Sequence, residues 1–350
     1  MVKQIFTWFL CGLLIFFCAA CGRRENVTPP STTDTAVERQ PILEESEATT
    51  ATVYYATLDG KYLLPLNLTI NATKEVARVA MEKLLAGPPT AAAAPVLPQD
   101  TKLLDLYSSS STIYVNVTKE ILKLDWSQAQ LAVDAILSTI LPLAEGYNLQ
   151  LLIDGQICER LGSVDISKPL TFPLPGINLD QASKERYRKW VAEGMPSGGL
   201  ALTYYLPDDQ AMYLVPQTLF YLPEKEENAD GSASPAEPDS PAAHAQAVLA
   251  AMLATDAQAS GLSSPFWPGT EILNLWVEDR IVYVDFSARL TGYGGGATAE
   301  SMMLNCLTYS LTSLPGISAV QVLIEGKPGT LPEGMDISKP LTPQSPLNAV

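Results

Sequence analysis

Asp165-Ile166-Ser167-Lys168-Pro169-Leu170 recurs letter for letter as Asp336-Ile337-Ser338-Lys339-Pro340-Leu341, 171 residues on. An identical hexapeptide at that distance marks a duplicated unit, and a duplication has to be settled before any motif is weighed. Working outward, Leu152-Ile153-Asp154-Gly155 matches Leu323-Ile324-Glu325-Gly326 at the same offset, and Ile113-Tyr114-Val115-Asn116-Val117 matches Val282-Tyr283-Val284-Asp285-Phe286 at 169. Tyr54-Tyr55 and Tyr62-Leu63-Leu64-Pro65 match Tyr204-Tyr205 and Tyr213-Leu214-Val215-Pro216 at 150 and 151. The later, larger offsets place an insertion in the second copy, where PEKEENADGSASPAEPDSPAA lies. The boundaries that follow are a leader at 1–20, a disordered tether at 21–51, a first domain at 52–170, a connector at 171–200, a second domain at 201–341 with an acidic insertion at 222–243, and a tail at 342–350.

Each unit reads β-β-α-β-β-α-β. In the first, Val53–Leu58 and Lys61–Ile70 flank Asp59-Gly60, a hairpin signal. Thr73–Ala86 carries Val76, Val79, Ala80 and Leu84 at helical spacing and stops at Gly87-Pro88. Leu103–Tyr107 and Thr112–Val117 read as strands. Ser127-Gln128-Ala129-Gln130 reads as a capping box before a stripe of Val133, Ile136, Leu137, Ile140 and Leu141. Leu149–Ile153 closes the unit. Two helices with one apolar stripe each can cover one face of a mixed sheet, so the fold class is α+β, in two tandem repeats. The second copy has its helices at Ala242–Ala254 and Ala299–Ser313.

The chain has 350 residues, 47% apolar and 17% charged, enough to build two cores. Its net charge of −16 has the wrong sign for gripping phosphates, which argues against nucleic acid as a partner. Residues 25–50 and 222–243 each carry a net of −5, so most of that acidity sits in the expected linkers. Against this background Ser183–Trp190 predicts a short connector helix with four basic residues, Lys184, Arg186, Arg188 and Lys189. A solvated interdomain helix accounts for them. Anionic lipid headgroups or an acidic partner are the functional alternative.

Residues 5–20 form an uncharged run behind Lys3, shorter than the roughly 20 residues a membrane-spanning helix needs. The run ends in Cys18-Ala19-Ala20-Cys21-Gly22, which resembles a bacterial lipobox, with Cys18 where leucine is usual. Cys21 is then the lipid-bearing mature N-terminus on the outer face of the cell membrane. An uncut anchor is the alternative, and Arg23 and Arg24 would then be translocated beside the span, against the positive-inside tendency.

Catalytic chemistry is poorly supplied. His244 is the one histidine, expected as a partly exposed residue of the first helical turn, which leaves a His-based triad or a multi-histidine metal site without ligands. Cys306 falls on an apolar stripe, and a Cys158–Cys306 disulfide is a weaker alternative to two free thiols. Gly292-Tyr293-Gly294-Gly295-Gly296 lacks the spacing of a phosphate loop and reads as a loop capped by Thr298. Asp154 and Glu325 each precede a glycine, the pattern of turns rather than of paired catalytic carboxylates. No catalytic, cofactor or metal residue is assigned.

The ordered set Tyr54-Tyr55, Tyr62-Leu63-Leu64-Pro65, Leu84-Leu85-Ala86-Gly87-Pro88, Pro268-Gly269-Thr270, Val282-Tyr283-Val284-Asp285-Phe286-Ser287 and Ile153-Asp154-Gly155 resembles the GerM family of sporulation and spore-germination lipoproteins, built from tandem GerMN domains. The second copy departs from it, with Leu253-Ala254-Thr255-Asp256 in place of Leu-x-Gly-Pro. The resemblance implies modules similar to ring-building domains and a non-enzymatic envelope role in assembly or scaffolding. On this reading the chain is anchored to the membrane through its lipid and docks envelope proteins, with Tyr54 and Tyr204 as candidate surface residues. Two rivals stand beside it. One is a glycan- or solute-binding lipoprotein with an interdomain cleft lined by Trp190, Trp267 and Trp276, and the other, weaker, is a wall hydrolase.

Overall fold

A computed structural model of the chain describes residues 39–172, 176–193, 199–222, 240–292 and 294–350. The leader, Cys21, most of the tether, nearly all of the acidic insertion and Tyr293 lie outside these residues.

In the first copy β1 (Ala48–Ala56) and β2 (Leu63–Thr73) form an antiparallel hairpin, with Tyr54 opposite Pro65. Helix α1 (Val76–Ala86) follows and buries Val76, Ala77, Ala80, Met81 and Leu84. Strands β3 (Leu103–Ser109) and β4 (Thr112–Val117) pair antiparallel; helix α2 (Gln128–Ile140) crosses back; β5 (Asn148–Ile153) then runs parallel to β4. The parallel pair requires a crossover, which α2 supplies. The mixed sheet is thus β3-β4-β5, and the hairpin stands as a sheet of its own, with α1 and α2 packed on β1 and on each other. Short strands β6 (Arg160–Leu161) and β7 (Val164–Asp165) complete the copy.

The connector forms helix α3 (Gln181–Glu193), longer than its basic stretch. The second copy repeats the plan with β8 (Leu200–Pro207), β9 (Leu214–Tyr221), α4 (Pro241–Leu253), a single-turn α5 (Ala257–Ser260), β10 (Ile272–Glu278), β11 (Ile281–Phe286), α6 (Gly296–Thr312) and β12 (Ala319–Ile324). Its mixed sheet is β10-β11-β12, again antiparallel and then parallel.

The repeated hexapeptide holds the last strand of each copy. Ile166 and Ile337 are buried, and the buried amides of Gln150 and Gln321 donate to their carbonyls at 2.9 and 2.8 Å. Leu170 bridges Leu149 on β5, and Leu341 bridges Val320 on β12. Asp165 accepts from the Ser167 amide and hydroxyl, and Asp336 accepts from the Ser338 amide. A buried glutamine is tolerated only with its polar atoms paired, which ties Gln150 and Gln321 to this one conformation of the segment after each last strand.

Several local expectations are corrected. Ser127 sits in helical conformation and makes no side-chain cap; the first turn of α2 instead bonds to the Asp125 carbonyl. On α4, by contrast, Ser240 accepts from the Ala243 amide at 3.2 Å, with Pro241 at the first helical position. The segment 39–51, part of the expected tether, is built into the fold. Gln40 pairs with Ser108 on β3, the Glu44 amide donates to Lys74, and β1 begins at Ala48. Its polar composition hid strand pairing, because backbone hydrogen bonds do not require apolar side chains.

On α2, burial pushes the Asp134 carboxyl up to about 6 from its ordinary 3.8, against the lowering effect of the Gln130 amide 2.8 Å away. The folded state therefore holds this proton to higher pH than the unfolded chain. The stability it contributes is complete below 3.8 and is lost as the pH rises through about 6. Asp134→Asn is expected to stabilise the protein by up to about 3 kcal/mol at pH 7.5 and to lose that advantage near pH 4. Urea titrations at the two pH values check this, and an equal gain at both would contradict it.

Candidate functional site

The two copies meet along β2 and β9. Two asparagines, one from the connector and one from the tail, cross this seam in the same way. Asn178 donates through Nδ2 to the carbonyls of Leu63 and Pro216, at 2.7 and 2.8 Å, and its Oδ1 accepts from the Leu63 amide at 2.8 Å. Asn348 donates to the carbonyls of Leu214 and Pro65, both at 2.8 Å, and accepts from the Leu214 amide at 2.8 Å. Both stand at positive φ, 52° and 48°, a conformation asparagine tolerates better than other side-chain-bearing residues. Beside them, Leu179 pairs with Thr218 on β9 and Ala349 pairs with Asn67 on β2, each in parallel. The segment following each copy is therefore bound to the other copy's hairpin. The expected tail at 342–350 is part of the fold, and the seam is a reciprocal exchange closed by two amide clasps. The Tyr62 hydroxyl adds a bond across the seam to the Ser260 carbonyl, 3.0 Å.

Tyr54 and Tyr204 prove not to be equivalents. The Tyr54 amide donates to Thr139 Oγ1 at 3.1 Å and the Tyr205 amide to Ser310 Oγ at 2.9 Å; Tyr54 opposes Pro65 and Tyr205 opposes Pro216. The true offset is 151 throughout, so the sequence match of Tyr54-Tyr55 with Tyr204-Tyr205 was one residue out of register. A one-residue slip exchanges the faces of a strand. Tyr204 is accordingly buried, 3% exposed, which removes it as a surface residue. Burial, followed by the charge and hydrogen bond of Asp180, holds its pKa well above the usual value. Tyr54 and Tyr205 are half-buried against the core. Burial pushes Tyr205 up to about 12, with Tyr54 and Tyr309 adding to the rise, and its ring meets that of Tyr309 edge-on at 5.9 Å.

Helix α3 presents Lys184, Arg186, Arg188 and Lys189 to solvent. Lys189 makes an exposed ion pair with Glu193 at 4.0 Å, of little energetic weight. The opposite side of the helix holds it in place: Ser183 Oγ accepts from the Phe220 amide at 2.8 Å, Trp190 packs on Phe220 with ring centroids 4.3 Å apart, and Asp180 accepts from the Ser183 amide. The basic stripe is thus rigidly mounted on β9.

His244 is buried, 3% exposed, and stands edge-on to Tyr221, where a partly exposed residue had been expected. Its counterpart Val76 is buried too, so the alignment already pointed inward. Cys158 and Cys306 are free thiols, the latter fully buried on α6, where burial raises its pKa. Asp154 and Glu325 occupy hairpin turns at φ 49°, as the glycines after them suggested. Thr298 lies inside α6, which starts at Gly296 without a side-chain cap. The three tryptophans occupy three separate settings: Trp190 on Phe220, Trp276 stacked on Tyr283, and Trp267 lining a 220 Å³ cavity with Phe266 and Met303. Among the described residues no cluster of His, Cys, Asp or Glu is placed to hold a metal, and no helix is long and apolar enough to cross a membrane.

The Germane family model, for sporulation and spore germination, matches residues 52–159 and 203–330, one stretch in each copy. This chain belongs to that family. Its fold is that of the tandem GerMN domains of the sporulation protein GerM from Bacillus subtilis, 20% identical over 86% of this chain and 100% of that one, with a TM-score of 0.56. The first GerMN domain of the same protein, 23% identical, covers 42% of this chain and 99% of that one at a TM-score of 0.31. A putative lipoprotein from Clostridium perfringens, 25% identical, covers 36% and 88% at 0.27. No curated protein sequence matches.

Within this Germane pair, sequence reasoning missed Asn178 and Asn348. The sequence carries a signal for them: Gly176-Ile177-Asn178-Leu179 matches Pro346-Leu347-Asn348-Ala349 at an offset of 170, just beyond the repeated hexapeptide. Glu300 was also missed. It is fully buried on α6 and accepts from the amides of Glu333 and Met335 at 2.6 and 3.0 Å.

Proposed function

We propose that this chain is a non-enzymatic lipoprotein, anchored through Cys21 to the extracytoplasmic face of the cell membrane, that acts as an assembly or scaffolding component in sporulation or spore germination. The observation that carries this reading is the family match over both copies. The lipobox-like Cys18-Ala19-Ala20-Cys21 supplies the anchor, and the residues that follow it set the reach from the membrane. The mechanism is mechanical. A clasped two-copy body presents fixed surfaces, among them the stripe of Lys184, Arg186, Arg188 and Lys189, to envelope proteins. The two copies bury the seam between them, and the three tryptophans that would have lined an interdomain ligand cleft sit apart, so capture of a glycan or solute there gains no support.

In-cell crosslinking and pull-down from the membrane fraction, at several growth stages including starvation, tests the reading. Wild type is expected to recover envelope proteins in a stage-specific manner, and Cys21→Ala to leave the membrane and lose them. Recovery of no protein, with wall fragments or a solute bound instead, would overturn it.

A further inference from the structure

The two copies differ at one sheet edge. In the first, the outer edge of β3 is closed: Gln40 and Ser108 exchange both backbone hydrogen bonds, at 2.9 and 2.8 Å, in an antiparallel bridge. Arg39, next to the paired residue, lays its guanidinium over the Tyr107 ring at 4.7 Å and bonds Asp105 at 3.0 Å. Tyr107 in turn stacks on Tyr114 of β4, with centroids 5.0 Å apart. Arg78 reaches the Leu106 carbonyl on the same edge.

The second copy rebuilds the platform and leaves it open. Tyr107 pairs with Tyr114 and Ser108 with Ile113; in the same register Trp276 pairs with Tyr283 and Val277 with Val282. Trp276 and Tyr283 stack at 4.8 Å, 4° from parallel. The matched register turns the Val277 amide and carbonyl away from β11, as it turns those of Ser108 toward Gln40. Among the described residues no hydrogen bond reaches these two groups. Leu106 and Ser108 are buried, 4% and 8% exposed, whereas their counterparts Leu275 and Val277 are half-buried. Strand β10 carries neither the lysine nor the proline that usually guards an open edge. Exposed Glu271, Glu278 and Asp279 surround it, against Arg280.

We propose that the outer edge of β10 docks an extended segment of another protein, antiparallel to β10, with an arginine beside the residue that pairs with Val277. Backbone pairing supplies affinity. The guanidinium, seated on the Trp276–Tyr283 stack, supplies register and selectivity, since tryptophan is the strongest cation–π partner. The acidic surroundings favour a cationic strand. A foreign chain fits better than a second copy, because the segment of this chain that suits such an edge, Arg39-Gln40, is already engaged on its own β3. The biological use of the edge rests on the assembly reading above; the binding itself does not.

The test titrates a synthetic peptide of residues 36–43, AVERQPIL, into the full chain in detergent micelles, following Trp276 by fluorescence and by NMR of labelled indole. Saturable binding below ~1 mM is expected. It should weaken at least tenfold when the peptide arginine becomes glutamine, when the amide of its paired glutamine is N-methylated, and when the protein carries Val277→Pro. The two peptide changes leave the protein untouched and so hold even if Val277→Pro fails to fold. Binding that survives all three changes, or none at millimolar peptide, overturns the proposal. Self-association of the full chain that Val277→Pro abolishes would make the occupant a second copy and overturn the foreign-partner form. Failure here leaves the crosslinking outcome unaffected, and loss of that outcome leaves peptide binding intact.

Discussion

Replacing Asn348 by alanine is expected to lower the stability of the whole protein by about 3–5 kcal/mol. The change removes three hydrogen bonds at the seam and leaves the Leu214 amide and the carbonyls of Pro65 and Leu214 short of a partner. Pro65 and Leu214 are buried, so water cannot take the place of the lost amide. Each unsatisfied buried group costs about 1–3 kcal/mol, and alanine at a φ of 48° adds about 1 kcal/mol of backbone strain. Asn178→Ala should behave in the same way through Leu63 and Pro216. Since both clasps close one seam, the double variant should lose less than the sum of the single losses: once the first clasp opens, the second holds less. Urea denaturation of the full chain, followed at a tyrosine of each copy, gives the answer. Wild type is expected to unfold in one transition and the double variant in two. A loss below about 0.5 kcal/mol for Asn348→Ala would show that the seam is held by apolar packing alone.

Phe286→Ala should cost about 3–5 kcal/mol in the single transition of the chain. Phe286 is fully buried on β11, flanked by β10 and β12, and its ring lies 5.5 Å from that of Phe266. The positions matching this pair in the first copy hold Val117 and Leu97, both buried. The two copies thus fill the same site with two aromatic rings in one and two aliphatic side chains in the other. Val117→Ala should therefore cost less, about 2 kcal/mol, because fewer atoms leave and the residual cavity is smaller. Equal losses for the two variants would mean that the site around Phe286 collapses around the alanine, which the same denaturation series detects.

The duplication, the order of elements in each copy and their helix and strand periods are written in short-range patterns: the hexapeptide at 165–170 and 336–341, the stripes of α1 and α2, and the glycine-marked turns at Asp154 and Glu325. Such signals survive without knowledge of the rest of the chain, because helix and strand periodicities and turn conformations are decided within a few residues. The family follows from them, since it is a property of their order. Three features were decided only by tertiary structure. The alignment of Tyr54 with Tyr205 rather than Tyr204 needed the pairing of β1 with β2 and β8 with β9, because the two adjacent tyrosines match letter for letter at 150, one residue short of the register that the strand pairing sets. The ordering of 39–51 and of the tail came from backbone partners far along the chain, Ser108 for Gln40 and Asn67 for Ala349, and composition carries no record of backbone pairing. The exchange through Asn178 and Asn348 arises for the same reason: a polar side chain becomes a clasp only when distant carbonyls and an amide are brought within 3 Å of it, and sequence separation hides that distance.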